Sequence, residues 1–196
     1  MAMRFIKQRA QFVAPAGSAS DSVDWAKYPE GVPFNFGGNA TFHDVSAGGN
    51  IGFDIRHPVH LMRCTQDNGA SWFGNFAMGD ALLYTDFLPG PLAFYFDTPL
   101  RGAGGAQIQV KDPVAKFSAT IRAFAGNQQL VLPNNGTRND GTFDNDGSDT
   151  AIFLGVLEDD PAVAARITHI EFHIRVLDAG YRGDASFAIN RLDLIV

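Results

Sequence analysis

The final stretch of the chain alternates apolar and polar side chains over two consecutive segments, residues 167–177 and 186–196. The first segment reads ITHIEFHIRVL, with an apolar residue at almost every second position. Because successive side chains of a β-strand point to opposite faces of a sheet, this segment predicts a strand with one buried face. The second, SFAINRLDLIV, has a mixed pattern, which predicts either a β-bulge or a strand covered on both faces. Since the printed chain ends inside it, we expect this strand to complete a sheet.

Further strand signals recur at fairly even spacing, separated by turn groups rich in glycine, proline and asparagine. Gly102 to Gly105 form one such predicted turn group. Short strands between glycine-rich turns are typical of an all-β sandwich or barrel. The predicted strands are 41–45, 51–56, 81–87, 92–96, 106–111, 117–124, 129–132 and 151–157, followed by the two closing segments.

Length and composition predict one domain with an N-terminal extension. The chain has 196 residues, of which 45% are apolar and 18% charged, enough apolar material for a full core. Residues 14–22 are rich in proline, glycine, serine and alanine. We therefore expect residues 1–22 to be an arm and linker, with a short strand within residues 1–13, and residues 23–196 to be the β-sandwich domain.

Charge and cysteine content exclude several function classes. The net charge is −6 and lysine occurs only four times, whereas nucleic-acid binding needs a clustered cationic surface. Cys64 is the single cysteine, so an intrachain disulfide is excluded. The sequence has no apolar run long enough for a transmembrane helix. Polar residues from Lys7 to Gln11 interrupt the N-terminal apolar stretch, so we identify no intact signal peptide, and a cytoplasmic location stays open.

Four motifs in the second half of the chain suggest a family: FDTPLRGAGGAQIQV, KFSATIRAFAGNQQL, FLGVLEDDPAVAARITHIEF and SFAINRLDLIV. Their order resembles the extracellular jelly-roll domains of bacterial proteins that carry a PEP-CTERM sorting signal. It is also similar, more loosely, to galactose-binding-like domains and carbohydrate-binding modules. The resemblance implies a jelly-roll β-sandwich acting as a noncatalytic surface or sugar-binding module, extracellular or at the cell surface. In related sandwich domains the last strand often carries acidic residues that assist calcium binding, and this chain has Asn190 and Arg191 at those positions.

An aromatic segment, NGASWFGNF, is the candidate ligand-binding site. Trp72 and Phe73 lie among glycines and asparagines, with Asn75 and Asp80 close behind them. Aromatic rings beside amide and carboxylate groups suit a sugar, which needs both apolar stacking and hydrogen bonds. We expect Trp72→Ala to weaken glycan binding while the fold is kept. The alternative is that these rings pack over an end of the sandwich.

An acidic, glycine-punctuated segment is the candidate metal site, and calcium is the candidate ion. Closely spaced oxygen ligands on a loop are what Ca²⁺ requires, although the spacing does not match an EF-hand. The alternative is a solvated hairpin loop in which Asn-Gly and Asp-Gly pairs form the turns. The candidate ligands are Asp140, Asp144, Asp146 and Asp149.

His169, Glu171 and His173 share one face of the first closing strand. Two imidazoles and a carboxylate on one face are ligands that a transition metal accepts, so a metal-dependent enzyme is one hypothesis. The alternative is an outward polar face that meets solvent or a partner. In that case the protein is a structural or self-associating surface protein, and oligomers form through this face.

His57, His60 and Cys64 are a second group with metal-binding or nucleophilic side chains. Cysteine beside histidine is the arrangement of a thiol nucleophile and its base. No orienting third residue is evident, and free cysteine is commonly a small buried apolar residue.

The leading hypothesis from the sequence is a noncatalytic glycan-binding module, with Ca²⁺ stabilising its loops and no catalytic residues assigned.

Overall fold

The computed structural model describes residues 3–34, 41–56, 61–66, 76–85, 91–110, 117–130, 132, 140–143, 151–177 and 186–196. Within these ranges the chain forms fifteen β-strands, two three-residue 3₁₀ helices and no α-helix. The 3₁₀ helices are Arg9–Gln11 and Trp25–Lys27. The all-β prediction is therefore confirmed.

The strands vary from two to ten residues in length. In chain order they are β1 Arg4–Ile6, β2 Ser20–Val23, β3 Thr41–Val45, β4 Gly52–Arg56, β5 Leu61–Thr65, β6 Ala81–Thr85, β7 Leu92–Leu100, β8 Gly102–Val110, β9 Phe117–Ala125, β10 Gln128–Gln129, β11 Asp140–Phe143, β12 Ile152–Leu157, β13 Ile167–Val176, β14 Phe187–Ile189 and β15 Leu192–Ile195.

Two antiparallel sheets form a jelly-roll-like sandwich. The front sheet has eight strands in the order β1-β12-β8-β14-β6-β5, with β15 paired to β8 and β2 paired to β15. The back sheet has seven strands in the order β10-β9-β13-β7-β4-β3, with β11 paired to β9. From β7 onward the chain crosses repeatedly between the sheets, because β8, β12 and β14 are in front while β7, β9 and β13 are behind.

The hydrophobic core lies between the two sheets and contains side chains from both. Phe94 and Phe172 meet edge to face with ring centroids 6.2 Å apart, and both are fully buried. In β13 the buried residues Ile170, Phe172 and Ile174 alternate with polar residues, as the sequence predicts. The burial of one face of each sheet holds the sandwich together.

The closing segment 186–196 is interrupted at Asn190 and Arg191, which explains its mixed pattern. Phe187 and Ile189 of β14 point into the main core, and so do Leu192 and Leu194 of β15. The side-chain parity therefore shifts across the interruption. The outer face is covered as well, since Ala188 and Ile195 belong to two smaller apolar clusters. Both predicted explanations, an irregularity and double coverage, apply.

Gly102 to Gly105 lie inside β8, so the predicted turn there is wrong. A Cβ added at Gly104 would lie 2.2 Å from Cδ1 of Ile121, and one at Gly105 would lie 2.8 Å from Cβ of Asp193. These glycines are therefore required by close packing on both faces of β8, and a turn signal in the sequence was misleading.

Three strands occur where the sequence predicted none. β2 begins at Ser20, inside the segment expected to be a linker, and pairs with β15. β5 pairs with β6, and β11 pairs with β9 in the segment predicted to be an acidic loop. β1 pairs with β12, whereas β2 pairs with β15. Two strands from the N-terminal region therefore lie at different edges of the front sheet.

Candidate functional site

A gap in strand pairing opens in the front sheet opposite Asn190 and Arg191. β14 and β15 continue one another along β8, but their other edges pair with different strands. Ile189 pairs with Leu83 of β6, whereas Leu192 pairs with Val23 of β2. Asn190 and Arg191 lie between these two paired positions. The end of β2 and the beginning of β6 are therefore both opposite Asn190 and Arg191.

A pocket of about 450 Å³ lies at this gap, and we call it the seam pocket. Short backbone segments preceding β6 and following β2 form part of its wall. Most of the lining residues are polar, and they include three arginines and two aspartates. The polar lining residues are Arg9, Asp24, Arg63, Asp80, Gln107, Asn190 and Arg191.

Asn190 organises the polar groups of the seam pocket. The residue is only 6% exposed. Its Oδ1 accepts hydrogen bonds from the backbone N–H of Gln107 at 2.8 Å and from a guanidinium nitrogen of Arg9 at 3.1 Å. Its Nδ2 donates to Oε1 of Gln107 at 2.7 Å and to Oδ2 of Asp80 at 3.2 Å. A primary amide has two donor hydrogens and an acceptor oxygen with two lone pairs, so Asn190 is fully used in holding its neighbours.

Backbone contacts of Asn190 connect the pocket to the core. Trp25, which is fully buried, donates its indole N–H to the carbonyl of Asn190 at 2.8 Å. Asp24 caps the 3₁₀ helix that carries Trp25, because its Oδ1 accepts from the N–H of Ala26 at 2.9 Å. These bonds make the pocket's polar array rigid before any ligand arrives.

Two arginines reach the seam pocket from different elements. Arg9 lies in the first 3₁₀ helix, forms an ion pair with Asp193, and has its guanidinium 5.2 Å from the ring centroid of Phe153. Arg63 lies in β5 and pairs with Glu30 at 2.8 Å. The guanidinium groups are thus held in defined positions at the pocket.

Of the predicted glycan-binding residues, Asp80 lines the seam pocket. Trp72, Phe73 and Asn75 lie outside the described residues. The structure therefore connects Asp80 with residues that the sequence did not single out, chiefly Arg9 and Gln107.

The predicted calcium ligands fall mostly outside the described residues. Asp144, Asp146 and Asp149 are outside them, while Asp140 begins β11, where it is paired with Thr120 of β9. Within the part of the chain that the structure describes, no group of three or more His, Cys, Asp or Glu residues is arranged to hold a metal ion.

His169 is enclosed by aromatic rings on the outer surface of the back sheet. Its ring stacks on Tyr95, with centroids 4.5 Å apart, and on Phe124, with centroids 4.2 Å apart. The guanidinium of Arg56 lies 3.9 Å from the ring centroid of Tyr95 and extends the stack. Burial lowers the pKa of His169, and the charge of Glu171 only partly opposes this.

The other members of the two predicted histidine groups are placed as follows. Glu171 and His173 bond to each other at 2.9 Å. Cys64 is buried, as predicted, in an apolar cluster with Phe76 and Leu82. His57 and His60 lie outside the described residues.

Sequence reasoning missed the central role of Asn190 and its partners Arg9 and Gln107. The one available signal was the interruption of alternation at Asn190-Arg191, because a polar residue pair inside an apolar strand indicates a break in regular pairing. The partners come from β8 and from the first 3₁₀ helix, so no local pattern connects them.

No protein-family model matches the chain, and no curated protein sequence matches it. Among the described residues, no helix is both long enough and apolar enough to span a membrane.

Proposed function

We propose that this protein is a noncatalytic binding module whose seam pocket takes a glycan, at a bacterial surface or outside the cell. The observation that carries the proposal is the buried amide of Asn190, which holds Arg9, Gln107 and Asp80 in place at a pocket of about 450 Å³. A pocket of this volume lies within the usual range of small-molecule sites, roughly 300–1,000 Å³.

The chemistry of the lining supports a polyhydroxylated ligand. Each sugar hydroxyl both donates and accepts a hydrogen bond, so it pairs with carboxylates, amides and guanidinium groups together. The seam pocket presents all three kinds of group, from Asp80, Gln107 and Arg63. Groups fixed before binding lose little side-chain entropy when the ligand arrives, which favours affinity.

The positions of the two aspartates support binding without catalysis. Hydrolysis of a glycosidic bond commonly needs two carboxyl groups that act on the substrate. In the seam pocket Asp24 caps a 3₁₀ helix, so we assign a single carboxylate, that of Asp80 held by Asn190, to the ligand. One such carboxylate is consistent with a module that holds a glycan unchanged.

The test is glycan-array screening followed by calorimetry with the glycans that bind. We expect Asp80→Ala to weaken binding by about tenfold or more, since a hydrogen bond to a charged group contributes roughly 1.5–3 kcal/mol. Asp97→Ala is the matched control, because Asp97 is an exposed carboxylate in β7 of the back sheet. Circular dichroism checks that both variants are folded.

Three results would count against the proposal. They are an array without hits, equal affinity of wild type and Asp80→Ala, and release of reducing sugar from a bound glycan. Trp72→Ala, measured in the same assay, tests the separate sequence prediction that the aromatic segment contributes to binding.

Calcium stabilisation is a further part of the proposal, and it derives from the acids of the 140–149 segment. We expect Ca²⁺ to raise the melting temperature and Asp144→Asn with Asp146→Asn to abolish that increase. Identical melting curves with Ca²⁺ and with a chelator would contradict it.

A further inference from the structure

A second cavity, of about 210 Å³, lies beside the seam pocket. Arg9 and Arg191 line both cavities. The second cavity is also bordered by Phe12, Ser20 and Ile195, so we call it the Phe12 cavity. From Arg191 the seam pocket extends along the closing segment toward Asn190, whereas the Phe12 cavity extends toward Ile195.

The partition between the two cavities is a cluster of three charged side chains. Asp193 accepts from Arg9 and also from Nε of Arg191, the latter at 2.8 Å. The arginine side chains are 34% and 54% exposed, whereas Asp193 is only 16% exposed. The partition is therefore a rim whose guanidinium groups reach solvent, and a ligand lying across it meets hydrogen-bond donors.

Phe12 lies over two glycines of adjacent strands at the Phe12 cavity. A Cβ added at Gly105 of β8 would be 2.9 Å from Cδ1 and Cε1 of the ring. One added at Gly155 of β12 would be 2.8 Å from Cδ2. The ring thus spans the two strands, and only glycine at both positions leaves room for it. Phe12 is nevertheless half-buried rather than fully buried, and it borders the cavity.

We infer that the two cavities form one groove for a linear oligosaccharide, with Phe12 as the stacking residue of a second subsite. The inference rests on the proposed function of the seam pocket and adds the form of the ligand. A pyranose ring has an apolar C–H face that packs on an aromatic ring, while its hydroxyls need polar partners at the edges. The Phe12 cavity offers the ring, and the Arg9–Asp193–Arg191 rim offers the polar partners.

A groove with two subsites has a measurable consequence, which is dependence of affinity on chain length. A mono- or disaccharide occupies the seam pocket alone. A longer chain also crosses the rim and reaches Phe12, and because the second contact is made by an already bound molecule, it adds affinity. A single closed pocket shows no such gain.

The experiment measures binding of malto-, cello-, chito- and xylo-oligosaccharides of one to six units by calorimetry. For the series that binds, we expect affinity to rise by about tenfold or more from the disaccharide to the hexasaccharide, equivalent to roughly 1.4 kcal/mol. Phe12→Leu should abolish this gain and leave disaccharide affinity unchanged, whereas Phe12→Tyr should keep the gain. Asp80→Ala should weaken binding of every length.

Ser20→Arg supplies an independent variant that keeps Phe12. Ser20 is exposed and pairs with Ile195, so a long side chain there fills the Phe12 cavity without disturbing the glycines. It should also remove the length dependence. Equal affinity for short and long chains, or equal loss for both lengths in Phe12→Leu, would overturn the second subsite while the seam pocket stands. Failure of all four series to bind would contradict the glycan proposal itself and the groove with it.

Discussion

His169 is buried between the rings of Tyr95 and Phe124, and burial lowers the pKa of its imidazole. His169 is only 8% exposed, and burial is the chief cause of its lowered pKa. The charged groups nearby are Glu171, which opposes the shift, and Arg56, which adds to it. His169 thus contributes as a neutral aromatic ring, a role different from the metal ligand considered from the sequence.

The lowered pKa of His169 predicts a loss of stability in mild acid. Between the folded-state pKa of His169 and its ordinary value of 6.5, the unfolded chain binds a proton at His169 that the folded protein does not bind. The free energy of unfolding therefore decreases as the pH falls from 6.5 to the folded-state pKa, and stays level below it as far as this residue is concerned. Urea unfolding between pH 7.5 and 5 measures this decrease, and His169→Phe should reduce it.

His43 is the matched comparison because its shift has the opposite sign. A hydrogen bond to Asp54 raises the pKa of His43, which is exposed in β3. Its contribution is present below pH 6.5 and is lost as the pH rises through the folded-state pKa. An NMR titration resolves both histidines, and a midpoint for His169 at or above that of His43 would refute this account.

Among the strands, β8 shows that glycine can be selected by packing. Gly104 has φ of +78°, a left-handed conformation, and faces Ile121 in the core. Sequence patterns interpret four residues rich in glycine as a turn, because turns are where glycine is most common. Only the presence of β9 and β13 on one side and of Phe12 on the other shows why this strand excludes side chains.

Gly104→Ala should destabilise the protein by about 1–3 kcal/mol. The new methyl group would overpack the core against Ile121, and alanine is strained at positive φ. The double variant Gly104→Ala/Ile121→Val removes the Cδ1 atom in the clash. We expect it to be less destabilised than the sum of its two single variants, as measured by urea unfolding. Strict additivity would show that the clash is not the cause.

At the scale of the whole molecule, the N-terminal region contributes two strands, β1 and β2, to the front sheet. Met3 is fully buried, and Ile6 is 2% exposed in a cluster with Phe153 and Leu157. Arg9 extends this integration to the seam pocket through Asn190. The N-terminal segment therefore contributes both to folding and to the proposed site, although composition alone indicated an arm and linker.

Ile6→Ala should lower stability by about 2–5 kcal/mol, the usual range for truncating a buried isoleucine. Val13→Ala is the control, because Val13 belongs to the same segment but is 62% exposed and should change stability little. Deletion of residues 1–13 should have the larger effect and also abolish glycan binding. Unchanged melting temperatures in Ile6→Ala and in the deletion would show that the segment is not needed for the fold.

Strand positions were the most predictable part of this protein, and the candidate site was the least. The prediction for β3, residues 41–45, matches the structure, and β13 was predicted within one residue, since period-two alternation is a local property. β2 and β5 were missed because their apolar patterns are weak, and the partner of β2, which is β15, also lies far along the chain. Arg9 and Asn190 are likewise far apart in the sequence, so no local pattern indicated the seam pocket.

The sequence by itself determined that the chain is an all-β protein and which face of β13 is buried, because alternating apolar side chains require a sheet and a core. Only the tertiary structure decided that β14 and β15 separate at Asn190. That separation depends on β6 and β2 pairing with different parts of one segment, which is a matter of long-range register. The seam pocket arises from this arrangement, and its polar array exists only where the first 3₁₀ helix, β8 and the closing segment meet.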